Sequence, residues 1–315
     1  MGDNYGPAVH YNGPDELVIE ADGTLTIRGA VVGMSRNQPY FVDTVNGSDA
    51  NNGKSWAQAK ATMAAALALV GDHGVIGWTG DVREQLNGPL GVQGVRIIAS
   101  NGGNTRHDDG ARWRTPASGA VAATPLLTLR EQGWEVIGGL FVPDANAVTG
   151  VRIRRAEDAT WPDGSHSKVI GSKFIGVDGA PVGTGVEDHG GAHHVIVEGC
   201  EFHGLVDGIK HTVGAGIASP LRWDVRGNFF ENNTNHFTLP ANASRFRGNI
   251  LDRATTTMIN TSGGTAGGNF VLDNYVEDNE ADIDNAHGYT GHASDAMWRI
   301  YSKNTAAMTV GIPGA

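Results

Sequence analysis

Short apolar clusters alternate along this chain with small or polar residues, and the alternation repeats. Six segments align on one small residue: Gly138 in VIGGLF, Gly171 in VIGSKF, Gly199 in VEGCEF, Gly227 in VRGNFF, Gly248 in FRGNIL and Asp273 in VLDNYV. Two positions earlier stand Val136, Val169, Val197, Val225, Phe246 and Val271. Three positions later stand Phe141, Phe174, Phe202, Phe230, Leu251 and Val276. A straight strand alternates its side chains, so both rows cannot face one core unless the chain bends between them. Glycine takes the left-handed conformation of such a corner freely, and Asn or Asp tolerates it. The anchors lie 21 to 33 residues apart. Two short strands meeting at a corner, at that period, predict a β-solenoid whose coils bury their apolar rows only by stacking. Asn228, Asn249 and Asn274 follow the last three anchors, which predicts a hydrogen-bonded ladder of side chains. The competing architecture is a β-sandwich, whose strands would recur every ~8–12 residues with hairpin turns. That regular hairpin spacing is missing from the sequence.

Outside the repeat the pattern changes. Residues 1–38 read as a small β-rich segment, with Leu17-Val18-Ile19 and Leu25-Thr26-Ile27 joined through an Asp22-Gly23 turn. It is too small for a core of its own, so it is expected to attach to something larger. Residues 39–80 read as a strand at Tyr40–Asp43, a polar loop, and a helix from Trp56 to Val70 with Ala59, Met63, Ala66 and Val70 on one face. That helix is expected to cap the solenoid. Coils are expected over 81–286, and residues 287–315, which break the pattern, as a C-terminal cap covering the exposed strand edges.

Composition narrows the function classes. Glycine supplies 46 of 315 residues, about twice the usual ~7%, which fits many tight turns. With 23 basic and 34 acidic residues the net charge is −11, a poor balance for gripping nucleic acid phosphates. The single cysteine, Cys200, allows no internal disulfide and no paired-thiol metal or redox motif. Met63 to Val70, the longest apolar stretch, is too short to cross a bilayer. The start, MGDNYGPAVHY, has neither the basic region nor the apolar run of a secretion signal, so synthesis in a cytoplasm is expected. Gly263-Gly264 and Gly267-Gly268 lack the lysine of a phosphate loop and read as turns, and no cofactor is expected.

The stretch Tyr40 to Val70, YFVDTVNGSDANNGKSWAQAKATMAAALALV, resembles the opening of many right-handed parallel β-helix proteins of the pectate-lyase-like superfamily. In bacteriophages such openings are common in tail spikes and other virion surface proteins. The resemblance covers about residues 40–284. It implies an all-β, right-handed parallel β-helix with an N-terminal capping helix. It also implies a homotrimer on the virion surface, held to other virion proteins by the N-terminal segment.

Several residues could carry chemistry. Glu187-Asp188-His189 followed by His193-His194 is the densest polar cluster, and it reads as a loop before the next pair of strands. Paired carboxylates of this kind serve glycan cleavage, one protonating the leaving oxygen and one activating water. A base could instead remove a proton beside a uronate carboxyl. The polygalacturonase branch of the superfamily carries NTD, DD, GHG and RIK in order. Here DHGG and Asp207-Gly208-Ile209-Lys210 only echo it, there is no NTD, and the one DD pair, Asp108-Asp109, lies far upstream. The competing reading of the cluster is a solvated loop between coils. Asp43, Asp49, Asn51 and Asn52 are candidate calcium ligands, against an Asx-rich turn bonded to its own backbone. Trp134, Trp161, Trp223 and Trp298 could stack on sugars, although Trp134 and Trp223 suit a packed strand equally well. The expected function is a non-enzymatic virion surface component, a capsid decoration or tail-spike-like protein with a contribution to host adhesion. The alternative is a polysaccharide lyase or glycoside hydrolase on the same scaffold.

Overall fold

The computed structural model describes residues 39–100, 110–117, 124–144, 148–154, 164–177, 179–212, 219–262, 267–276 and 295 in full. It also gives the backbone of the short strands at 8–9, 16–19, 25–28, 289–290, 296–298 and 301–302. Three long sheets run side by side, with ten, nine and eight strands. Every pairing within them is parallel and joins one coil to the next. Each coil passes through the first sheet, the second and the third in turn, as Ile196–Glu198, Glu201–His203 and Asp207–His211 do. The fold is a right-handed parallel β-helix.

The corner expected from the repeat joins the first sheet to the second. Gly138, Gly171, Gly199, Gly227 and Gly248 have φ between 56° and 69°, and Asp273 has φ 52°. The bend brings positions −2, +1 and +3 to the interior. Val169, Val197, Val225, Phe246, Val271, Phe174, Phe202 and Phe230 are fully buried. The register pairs Val169 with Val197 and Phe174 with Phe202, so identical side chains sit one above another. Ring centroids from Phe174 to Phe202 to Phe230 are 5.0 and 4.7 Å apart, matching the spacing of adjacent strands. The ladder is present: Asn228 Nδ2 donates to Asn249 Oδ1 at 3.0 Å, and Asn249 Nδ2 to Asn274 Oδ1 at 2.9 Å. Buried amides stacked this way satisfy one another and the carbonyls of the neighbouring coil.

A second corner, from the third sheet back to the first, has the same geometry with different residues. His73, Gly94, Gly133, His166, His194, Arg222, Ala243 and Gly268 all have positive φ, between 50° and 73°. The residues that follow turn inward, among them Trp134 and Trp223, which are core residues. Their indole N–H groups donate to Val92 O and Ala192 O, both at 2.8 Å.

The ends differ from expectation. Residues 56–70 are not one helix: a short 3-10 turn spans Trp56–Gln58 and an α-helix only Met63–Leu67. Ala59, Met63, Ala66 and Val70 are all buried, so the apolar period was real but the extended Ala59 C-cap interrupts the backbone. The coils also run further than the repeat indicates. Tyr40–Asp43 is already the edge strand of the first sheet, and Tyr289–Thr290, Ala296–Trp298 and Tyr301–Ser302 add a strand to each sheet. The strands at 289–290, 296–298 and 301–302 lie in a stretch of sequence without the Gly-Asn corner, which is why the pattern missed them. Ala8–Val9, Glu16–Ile19 and Leu25–Arg28 form a separate antiparallel sheet.

Candidate functional site

Of the candidate residues, Glu187, Asp188 and His189 lie on the third sheet. Gly150, Gly185 and Gly208 let its strands press onto the aromatic stack. A Cβ on each would come within 2.8, 2.6 and 2.9 Å of the rings of Phe174, Phe202 and Phe230. Beyond these glycines, parallel register aligns Arg152, Glu187 and Lys210 in one row and Ile153, Asp188 and His211 in the next.

Glu187 and Asp188 therefore lie within the strand Thr184–His189, which corrects both the loop placement and the solvated reading. Consecutive residues in a strand face opposite ways, and this pair does. Glu187 shares the row of Arg152 and Lys210 and is 3% exposed. Thr149 Oγ1 and Arg152 Nε each donate to Glu187 Oε2 at 2.8 Å, and Thr212 Oγ1 donates to Oε1. Burial alone would raise the pKa of this carboxyl. The Arg152 charge and the bonds from Thr212, Arg152 and Thr149 outweigh it and hold the pKa below the ordinary glutamate value. Asp188 is fully buried on the core side. It accepts from Gly191 N at 3.1 Å and Ala192 N at 2.8 Å, and lies 2.5 Å from His211 Nδ1. His189 is half-buried on the outer side, where burial and the Arg152 charge depress its pKa.

His193 and His194 are elsewhere, at the second corner. The His194 ring stacks on His166, with centroids 4.8 Å apart and planes within 4°, and its Nε2 lies 3.2 Å from Arg222 Nη1. Burial, His166, Arg222 and His193 together lower its pKa. Nitrogens in parallel ring planes do not converge on one ion. Among the described residues no three His, Cys, Asp or Glu side chains are placed to hold a metal.

The Asp43, Asp49, Asn51 and Asn52 set is spread through a tied-down loop. Asp43 accepts from Val45 N and Asn46 N at 2.9 and 3.0 Å. Asp49 accepts from Ala61 N and Thr62 N, both at 3.0 Å. Asn51 Nδ2 donates to Ala59 O at 3.0 Å, and Asn52 Oδ1 accepts from Lys54 N at 2.8 Å. These bonds fasten the loop to itself and to the start of the capping helix. Trp161, Asp108-Asp109 and Gly263-Gly264 lie outside the described residues, and of Trp298 only the backbone is described.

An open groove of about 590 Å³ runs along the first corner, lined by Glu198, Arg226, Arg247 and Asp273 with Gly199, Gly227 and Gly248. Arg226 pairs with Glu198 at 2.7 Å, and Arg247 with Asp224 at 2.9 Å. Such half-exposed pairs contribute little to stability.

Sequence reasoning missed Thr149, Arg152, His211 and Thr212. They lie 23 to 38 residues from the carboxylates they meet. Only the coil lengths align them, and the third-sheet glycines that mark those lengths, Gly150, Gly185 and Gly208, read in sequence as turns.

No protein-family model matches the chain, and no curated protein is similar to it in sequence. Among solved structures it is similar to the pectate lyase Pel9A, with TM-score 0.51 and 14% identity over 88% of this chain and 79% of that one. Weaker likenesses are to a pectin methylesterase from carrot, with TM-score 0.37, 10% identity and coverage of 90% and 87%, and to the Dettilon tailspike protein, with TM-score 0.27, 10% identity and coverage of 76% and 56%. At 14% identity the likeness to Pel9A shows the fold alone, a parallel β-helix.

Proposed function

We propose that this chain is a structural β-helix exposed on the surface of a bacteriophage particle, as a capsid decoration or tail-spike-like component, and that it cleaves no glycan. The observation that carries the non-enzymatic reading is the state of Glu187 and Asp188. Glu187 is saturated by Thr149, Arg152 and Thr212 and held ionised, so at neutral pH it has no proton to give and little basicity. Asp188 faces the core and holds two backbone amides. Neither is free to act on an external sugar. The virion assignment is supported by the Tyr40–Val70 opening and by a stiff solenoid joined to a separate small sheet.

The test has two arms. Purified protein incubated with polygalacturonate and host capsule should release neither reducing ends nor unsaturated uronates. His193→Ala and Glu187→Gln should leave incorporation into particles unchanged, and antibody labelling of intact particles should find the chain on their outside. Glycan cleavage abolished by Glu187→Gln would overturn the reading.

One observation favours the second reading, a polysaccharide-cleaving enzyme. Asp207 and Lys210 share the outer face with Arg152 and Glu187, with Lys210 Nζ 3.7 Å from Asp207 Oδ2. A lysine beside carboxylates is the kind of base a uronate lyase needs. Lys210→Ala separates the readings, because only an enzyme would lose turnover.

A further inference from the structure

We propose that the open groove along the first corner is a binding site for an uncharged glycan, held lengthwise across the coils. Its shape follows from the corner itself. Gly199, Gly227 and Gly248 form a floor without side chains, and a Cβ at any of them would meet nothing within 4 Å. One wall is the outward row just before the corner, where parallel register stacks Glu198, Arg226 and Arg247. A second outward row runs beside the groove, two residues past the corner. Phe230 and Leu251 are buried in the core, so their strand neighbours Phe229 and Ile250 face out, and register adds Tyr275 to that row. Ile250 is 38% exposed. The groove thus has a polar side, an apolar side and a bare floor between them.

Charge selects the class of ligand. Arg226 pairs with Glu198 at 2.7 Å and with Asp224 at 2.9 Å, and Arg247 pairs with the same Asp224 oxygen at 2.9 Å. With Asp273 also on the groove, three carboxylates stand against two guanidiniums, which leaves no surplus positive charge to hold a polyanion. Carboxylates already engaged by arginine offer little to a polycation. A peptide strand fits no better, because strand addition needs an open backbone edge. The N–H groups of Gly199, Gly227 and Gly248 are all spent, each on the carbonyl before the next coil's corner at 3.1 Å. A neutral sugar chain meets every condition. Its hydroxyls both donate and accept, matching carboxylate oxygens and guanidinium N–H groups that their pairing already holds in place. Its C–H faces suit the row of Phe229, Ile250 and Tyr275. Coils recur about every 4.8 Å, near the length of one sugar unit. The volume of about 590 Å³ falls within the ~300–1,000 Å³ of small-molecule sites. This site is separate from Glu187 and Asp188 on the third sheet, and it does not depend on where the protein resides.

The full chain should be applied to an array of neutral and acidic oligosaccharides, and the neutral ones it retains titrated by calorimetry. At least one neutral glycan should bind, with an affinity that holds as salt is raised. Phe229→Ala, which removes an outward ring and leaves the core intact, should weaken that binding about tenfold. Gly227→Asn should abolish it by filling the floor. The corner accepts a polar side chain at this position, since Asp273 already occupies it with φ 52°. Circular dichroism of both variants should match the wild type. Thr238→Arg, on the outer face of the third sheet, should bind as the wild type does. Retention of no neutral glycan, retention of acidic glycans alone, affinity indifferent to Phe229→Ala and Gly227→Asn, or loss through Thr238→Arg instead would each overturn the proposal.

Discussion

The two left-handed corners of this solenoid perform one task with different residues. At the first, Gly171, Gly199, Gly227 and Gly248 each donate their N–H to the carbonyl of the residue before the next coil's corner, at 2.9 to 3.1 Å. At the second, His166, His194, Arg222 and Ala243 do the same at 2.8 to 3.0 Å. Both place a buried polar ladder just inside: Asn228, Asn249 and Asn274 at one, Ser244, Asn269 and Asp295 at the other. The backbone demand is common to both corners. Only the first meets it mainly with the residue type that lacks a Cβ. The difference shows that the ladder of backbone and amide bonds defines the corner, while glycine lowers its local cost.

Core stacking should outweigh either ladder. Phe202 is fully buried between the rings of Phe174 and Phe230, so Phe202→Ala should cost about 3–5 kcal/mol in denaturant unfolding. A cost under about 1 kcal/mol would mean that the interior stack is not the main support of the coils. Next come the ladders. Asn249 Nδ2 donates to Val225 O at 3.1 Å, and Asn269 Nδ2 to Ala241 O at 2.8 Å; both residues are completely buried. Asn249→Ala and Asn269→Ala should each cost about 2–4 kcal/mol, since each strands a backbone N–H and a carbonyl. If the first cost several times the second, the equivalence of the corners would fail.

The first corner was legible in the sequence because one residue type recurs at one offset from two apolar rows. The second was not: His166, His194, Arg222 and Ala243 share a conformation but no chemistry that a pattern could register. Trp134 and Trp223 follow its left-handed residues, which is why they were correctly suspected as packed yet could not be placed. The third sheet was harder still. Its strands are pinned by Gly150, Gly185 and Gly208 against phenyl rings, and a glycine that marks a close approach looks in sequence like one that marks a turn. Glu187 and Asp188 consequently read as loop when they are strand, and the register bringing Arg152 and His211 to them was invisible.

Acid should act more strongly on the third-sheet side. His236 lies on the strand Asn235–Thr238, fully enclosed and packed on Phe230 at 5.6 Å. Burial lowers its pKa from 6.5 to about 3. The folded state keeps the ring neutral while the unfolded chain takes up a proton below pH 6.5. Stability from this site is therefore whole above that pH and is lost as pH falls toward 3. Between pH 7 and pH 5 the loss should be about 2 kcal/mol. His236→Phe should flatten that part of the pH profile, and an unchanged slope would show that the ring is not held neutral.

The smallest effect isolates the corners themselves. Glycine and alanine differ at a left-handed position by the Cβ crowding that only alanine suffers, partly offset by the greater unfolded-state freedom of glycine. At Gly227, φ 61°, an added Cβ meets nothing within 4 Å, so Gly227→Ala tests backbone conformation without a clash. It should cost about 1 kcal/mol. Ala243 at the second corner, φ 50° and exposed, is the mirror experiment. Its methyl group gains little from burial, so Ala243→Gly should stabilise the protein by about 0.5–1 kcal/mol, or a few degrees in the thermal midpoint. Opposite signs at the two sites would establish that the corners share one backbone requirement and differ only in how well their residues suit it. A destabilising Ala243→Gly would mean that the second corner is held by its side chains instead, and the parallel between the two would have to be abandoned.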